Sequence, residues 1–130
     1  MKWIYQHSTV AINQKLCRRW NEPFLVKQPE ILESILDPDR LIYSQINTVE
    51  GIIWKVFVDL LTMGHPFEQA NKRTAIIHTW ELQYENKVKV IYTDNELAYA
   101  LAVLIVEHKP DSTDLPPWVE NKRKLKYRRW

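Results

Sequence analysis

The chain has 130 residues, 45% apolar and 26% charged, which suits one globular domain with its own core. A lone Cys17 excludes an internal disulfide. No apolar run nears the roughly 20 residues that cross a bilayer, and only 2 glycines leave little room for tight hairpins. Met1-Lys2-Trp3-Ile4-Tyr5 is too short an apolar stretch for a signal peptide, so the expectation is a soluble, cytoplasmic protein with no membrane partner. Net charge is +2 but uneven. Lys122, Arg123, Lys124, Lys126, Arg128 and Arg129 are 6 of the 18 basic residues, leaving 12 basic against 16 acidic, or −4, for the rest. Such a tail binds an acidic partner or nucleic acid, or is a solvated helix end whose cations suit the dipole. The solvated end is the expectation, with nucleic acid as the weaker alternative.

In chain order, Ser8 or Thr9 can cap a first helix through Trp20, with Val10, Leu16, Cys17 and Trp20 as its apolar stripe. Asn21-Glu22-Pro23 ends it, and Phe24-Leu25-Val26 reads as a short extended segment. Gln28-Pro29 opens a second helix with Pro at its first position; Ile31, Leu32, Ile35 and Leu36 form the buried face and Asp37-Pro38-Asp39 stops it. Residues 39–46 carry no strong periodicity and read as extended. Asn47 and Glu50 resemble a capping box for a helix to about Met63, broadly apolar at Ile52, Ile53, Val56, Phe57, Leu60 and Leu61. Asp59 interrupts that helix and is expected to face solvent, with pairing to a Lys or Arg as the alternative.

Another helix is expected from Gln69 or Ala70 to Glu85 or Asn86, apolar nearly all round after its first turn, with His78 as a packed or surface residue. Residues 87–92 alternate as a short extended stretch. Thr93 and Glu96 box a helix to about Glu107, and Ser112 or Thr113 caps the last one, near Pro116, Pro117 and Trp118. Trp54, Trp80 and Trp118 read as core; Trp3 and Trp130 read as interface anchors or packed termini. The class is all-α: one compact domain over residues 1–130, with five or six helices, a core of about 8–125 and a basic tail at 122–130.

The stretch that carries chemistry is His65-Pro66-Phe67-Glu68-Gln69-Ala70-Asn71-Lys72-Arg73-Thr74. Gly64 and Pro66 break the chain around His65, and a helix begins a few residues later. A first helical turn has unpaired N–H groups at the positive end of the dipole. Lys72 and Arg73 oppose that dipole, and a negative ligand removes the conflict. Free amides, a guanidinium and an ammonium together suit a phosphate. A histidine just upstream can serve as a base beside it.

His-Pro-Phe, two residues, then Ala-Asn-Lys-Arg-Thr-Ala resembles the signature of the Fic/Doc (Fido) family, and the Asn-Lys-Arg form is most like its Doc, or death-on-curing, toxin branch. Val26 to Ser34 resembles the segment that opens an early family helix, so the likeness covers roughly residues 8 to 125. The resemblance implies a transferase that moves a phosphate, or a nucleotide, from ATP or another nucleoside triphosphate to a target hydroxyl. It implies His65 as general base, Arg73 as a catalytic phosphate binder, and Ala70, Asn71 and Lys72 completing the anion cradle. It implies a flap at Leu41, Ile42, Tyr43 and Ser44 that docks the target by strand-type pairing. A translation elongation factor is an implied target and an antitoxin protein an implied partner.

Two positions depart from the family pattern. Gln69 stands where the family has the carboxylate implied to hold Mg2+, and Ile76 stands where many members, though not the Doc branch, have a second arginine. Gln69 opens a second reading, a degenerate Fido domain that binds nucleotide or a partner without catalysis. A third, nucleic-acid binding through the tail, rests on composition alone.

Overall fold

The computed structural model describes residues 1–88 and carries five helices there: α1 (Gln6–Arg19), α2 (Pro29–Ile35), α3 (Leu41–Ser44), α4 (Val49–Thr62) and α5 (Asn71–Glu85). The class is all-α. Extended pairing among the described residues is confined to one antiparallel bridge, Val26 with Phe67. The expected pieces from residue 89 onward lie outside the described residues: the end of the extended stretch, the Thr93 and Ser112/Thr113 helices, Trp118, Trp130 and the 122–130 tail. No helix among the described residues is long and apolar enough to cross a membrane.

α4 is the central rod. From Ile53 to Leu61 every residue is buried: Ile, Trp, Val, Phe and Leu fill most of those turns, and Lys55 and Asp59 are buried with them. It packs against α5 on one side and α2 on another, while α1 lies across α5. Phe57, Leu60, Leu32, Ile35, Phe67 and Leu82 are almost wholly enclosed, each worth about 1.5–3 kcal/mol of hydrophobic transfer. Thr48, not Asn47, caps α4: its backbone is extended and its hydroxyl accepts from the Gly51 amide at 3.0 Å, which puts Glu50 one position short of a capping box. α2 begins at Pro29 as expected, since a first helical position needs no N–H donor.

α1 differs from its expected form. It starts at Gln6, ahead of Ser8 and Thr9, because the Thr9 hydroxyl is spent 2.8 Å from His78 Nδ1 and not on a cap. Its buried stripe is Thr9, Asn13 and Cys17, spaced by four: Thr9 meets His78 of α5, Asn13 meets the loop before α5, and the Cys17 thiol meets Asn13. Trp20 falls off that stripe and is 59% exposed. Trp3 resolves as a packed terminus: its indole donates to the Leu36 carbonyl at 2.7 Å and its ring tilts against Tyr43. Trp54 is core and Trp80 half-buried.

Two further expectations are overturned. Leu41–Ser44 is a helical turn and not an extended flap. Its main chain bonds locally, with Tyr43 and Ser44 amides returning to the Arg40 carbonyl, so it offers no strand edge. Asp59 is fully buried and not solvent-facing. Arg40 Nη2 donates to its Oδ2 at 2.9 Å and Tyr43 Oη at 3.0 Å. Lys55 Nζ stands 2.9 Å from Oδ1, an ion contact without hydrogen-bond alignment. A buried carboxylate persists only with such pairing. Burial and the Asp59 charge drive the Tyr43 phenol far above its usual range, so it stays a donor. This cluster ties α3 to α4 just before the chain leaves α4 for the His65 loop.

Candidate functional site

The loop from Gly64 to Ala70 is held from four directions. Gln28 Nε2 donates to the Gly64 carbonyl, and the Lys27 and Gln28 amides both donate to the Pro66 carbonyl at 2.8 and 3.0 Å. The Glu68 amide donates to the Leu25 carbonyl at 3.0 Å. Asn13 Nδ2, from α1, donates to the Gln69 carbonyl at 2.8 Å and to Thr74 Oγ1 at 3.0 Å. Asn71 closes the set: its carboxamide accepts from the Phe67 amide at 3.0 Å and donates to the Phe67 carbonyl at 2.7 Å. Phe67 itself is buried, which anchors the loop in the core.

Backbone dihedrals explain the residue choices. Gly64 sits at φ +76°, a left-handed conformation that glycine adopts without strain, and a Cβ there would stand 2.8 Å from the end of the Ile31 side chain. His65 and Ala70 also have positive φ, at 50° and 63°. Non-glycine residues pay a steric cost there, held in place here by the surrounding hydrogen bonds. The left-handed Ala70 turns the chain into α5. The first helical bond runs from Thr74 to the Ala70 carbonyl at 2.9 Å, and the amides of Ala70, Asn71, Lys72 and Arg73 have no acceptor among the described residues.

These parts meet at one cleft of about 330 Å3, walled by His65, Glu68, Gln69, Ala70, Asn71, Lys72, Arg73 and Leu61. His65 and Lys72 are exposed, and Lys72 has no carboxylate partner among the described residues. Arg73 is engaged: it ion-pairs with Glu22 and lies 5.7 Å from the centre of the Trp20 ring. The side chain of Asn71 is taken up by Phe67. Leu41, Ile42, Tyr43 and Ser44 do not line this cleft.

α5 starts at Asn71, so both Glu68 and Gln69 belong to the loop, and both line the cleft. Glu68, the one carboxylate among the described residues of the cleft wall, stands 3.5 Å from Lys27 Nζ. Gln69 adds a neutral amide. Among the described residues no group of three or more His, Cys, Asp and Glu side chains could hold a metal ion. This donor set does not fit a magnesium centre held by the protein alone.

His78 is the buried counterpart of His65. It is fully enclosed beneath α1, and burial lowers its pKa to about 3, so it is neutral and takes no part in the cleft. Sequence reasoning missed Asn13, Glu22, Gln28 and Trp20. A polar Asn13 in register with Thr9 and Cys17 was the one available signal, because a polar residue four places from each implies a buried partner. Glu22 is 51 residues from Arg73, and nothing local marks it as a partner. No family model, characterised protein or solved structure matches the chain.

Proposed function

We propose that the chain is a Doc-like protein phosphotransferase that moves the γ-phosphate of ATP or another nucleoside triphosphate to a hydroxyl of a target protein. One observation carries the reading: His65, Lys72 and Arg73 line one cleft of about 330 Å3 together with Ala70 and Asn71, and the amides of Ala70 to Arg73 have no acceptor among the described residues. The amides and the two cations suit phosphate oxygens at a helix N-terminus. In the proposed step the target oxygen attacks the γ-phosphorus and its proton passes to the His65 imidazole. The bond from the γ-phosphorus to the bridging oxygen breaks, and the nucleoside diphosphate leaves with that electron pair. Arg73 and Lys72 offset the charge on the transferred group.

The target-docking edge in this reading is Phe24–Val26, in place of Leu41–Ser44. The Leu25 carbonyl and Lys27 amide turn inward to the His65 loop. By antiparallel alternation the Val26 N–H and C=O turn outward, and neither has a partner among the described residues. The matching outward groups of Phe67 are filled by Asn71. An extended target segment can add to the open Val26 edge, with exposed Phe24 and Leu25 beside it. The resemblance adds a cytoplasmic setting, an antitoxin that blocks the cleft, and a translation elongation factor as target.

A second reading, binding of nucleotide or a partner without transfer, is favoured by the neutral Gln69 and by the pairing of Glu68 with Lys27. Incubation with cell lysate and ATP labelled at either the γ- or the α-phosphate separates the two. γ-label on a protein supports phosphate transfer, α-label supports nucleotide transfer, and no label with retained nucleotide binding leaves the second reading.

A further inference from the structure

We propose that this cleft takes a polyphosphate free of divalent metal, so that Mg2+ weakens binding where a metal-bridged site would need it. The inference rests on the reading of the cleft as a phosphate site and names the form of ligand that site accepts. The polarity of the loop carries it. Its carbonyl oxygens are spent on the chain: Gly64 accepts from Gln28 Nε2, Pro66 from the Lys27 and Gln28 amides, Phe67 from Asn71 Nδ2, Gln69 from Asn13 Nδ2 and Ala70 from the Thr74 amide. Its free groups are donors, because the amides of Ala70 to Arg73 have no acceptor among the described residues. A hard dication needs the reverse, a set of oxygen ligands led by carboxylates.

The side chains repeat this bias. The Asn71 oxygen accepts from the Phe67 amide at 3.0 Å, and Gln69 offers only a neutral carboxamide. The Glu68 carboxylate stands 3.5 Å from Lys27 Nζ and would leave that cation to reach a metal. Lys72 is exposed, has no carboxylate partner among the described residues, and lines the cleft with Arg73. Fixed cations and amide dipoles attract a polyphosphate in proportion to its negative charge. Mg2+ on the polyphosphate cancels two of those charges and occupies oxygens that the donors would otherwise bind. A metal-bridged site recovers that loss through carboxylates on the ion. Among its described residues this wall has one carboxylate, and it is already paired. The balance falls against the metal, and Lys72 and Arg73 supply the positive charge in its place.

Calorimetric titration of the full chain with sodium tripolyphosphate tests this, once in EDTA and once in excess MgCl2, with ionic strength matched by NaCl. The wild type is expected to bind about tenfold more weakly with Mg2+. Glu68→Gln removes a like charge from the wall. It is expected to bind at least as tightly as the wild type in EDTA and to keep the weakening by Mg2+. Gln69→Glu sets a second carboxylate beside Glu68 and is expected to reverse the sign, binding more tightly with Mg2+ than without. Equal or tighter wild-type binding with Mg2+ overturns the proposal; a Mg2+ gain that Glu68→Gln abolishes would assign the metal to Glu68. In each of those cases the wild-type cleft still binds tripolyphosphate. Absence of binding by the wild type under both conditions would instead remove the phosphate-site reading, and this inference with it.

Discussion

Asn71 holds Phe67 by both ends of its carboxamide, accepting from the amide at 3.0 Å and donating to the carbonyl at 2.7 Å. The side chain thereby acts as a one-residue neighbouring strand, on the opposite side of Phe67 from Val26. Asn71→Asp preserves shape and the acceptor but loses the donor, stranding the Phe67 carbonyl. We expect about 1–3 kcal/mol of lost stability by urea unfolding. Any activity assigned to His65 should fall with it, because the loop that carries His65 loosens.

Gly64 ends the run from α4 under tight contact. Gly64→Ala places a methyl 2.8 Å from Ile31 Cδ1 at a φ of +76°, so overpacking and a left-handed backbone penalty combine. A loss of about 2–4 kcal/mol is expected by the same measurement. Shortening the neighbour in Gly64→Ala/Ile31→Val should restore only the packing share of that loss.

The Asp59 cluster predicts a large asymmetry. Asp59→Asn leaves Arg40 and buried Lys55 without an anion between them, and about 3–5 kcal/mol of stability should disappear. Tyr43→Phe removes the one O–H shared between the Asp59 carboxylate and the Ile35 carbonyl, and should cost about 1–3 kcal/mol. The larger loss belongs to Asp59→Asn because it leaves buried charge uncompensated.

His78 supplies a pH dependence with a definite sign. Its folded pKa, lowered to about 3 by burial, lies below the ordinary value of 6.5, so the unfolded chain binds the proton first. Its contribution is full above pH 6.5 and declines as pH falls toward 3, by about 1.4 kcal/mol per unit within that window. His78→Gln should be less stable than wild type at pH 7 and should lose less on acidification. Urea unfolding at pH 7, 5 and 4 checks both; parallel declines for the two proteins would contradict the assignment.

Legibility in the sequence followed the range of the interactions. α2 was readable from Pro29 and its stop at Asp37-Pro38-Asp39, and α4 from its broad apolar face at Ile52, Ile53, Val56, Phe57, Leu60 and Leu61. His65 and the residues from Ala70 to Arg73 could be grouped from the sequence because they lie within ten positions of one another. The start of α1 was not, since Thr9 and Asn13 gain their meaning from partners 69 and 56 residues away. Leu41–Ser44 was misread because a four-residue helix completes barely one turn and shows no period. Asp59 looked solvent-facing because Arg40, which neutralises it, stands 19 residues earlier on a different element.

The most direct test of the transferase account is label transfer from γ-labelled ATP to a protein target by the wild type and by His65→Asn. Asn is preferred to Ala because it tolerates the φ of 50° at that position, so the loop keeps its course. The account predicts labelled target with the wild type, a drop of about 10²–10⁴-fold with His65→Asn, and unchanged thermal unfolding of the variant. Equal labelling by the two proteins would contradict it.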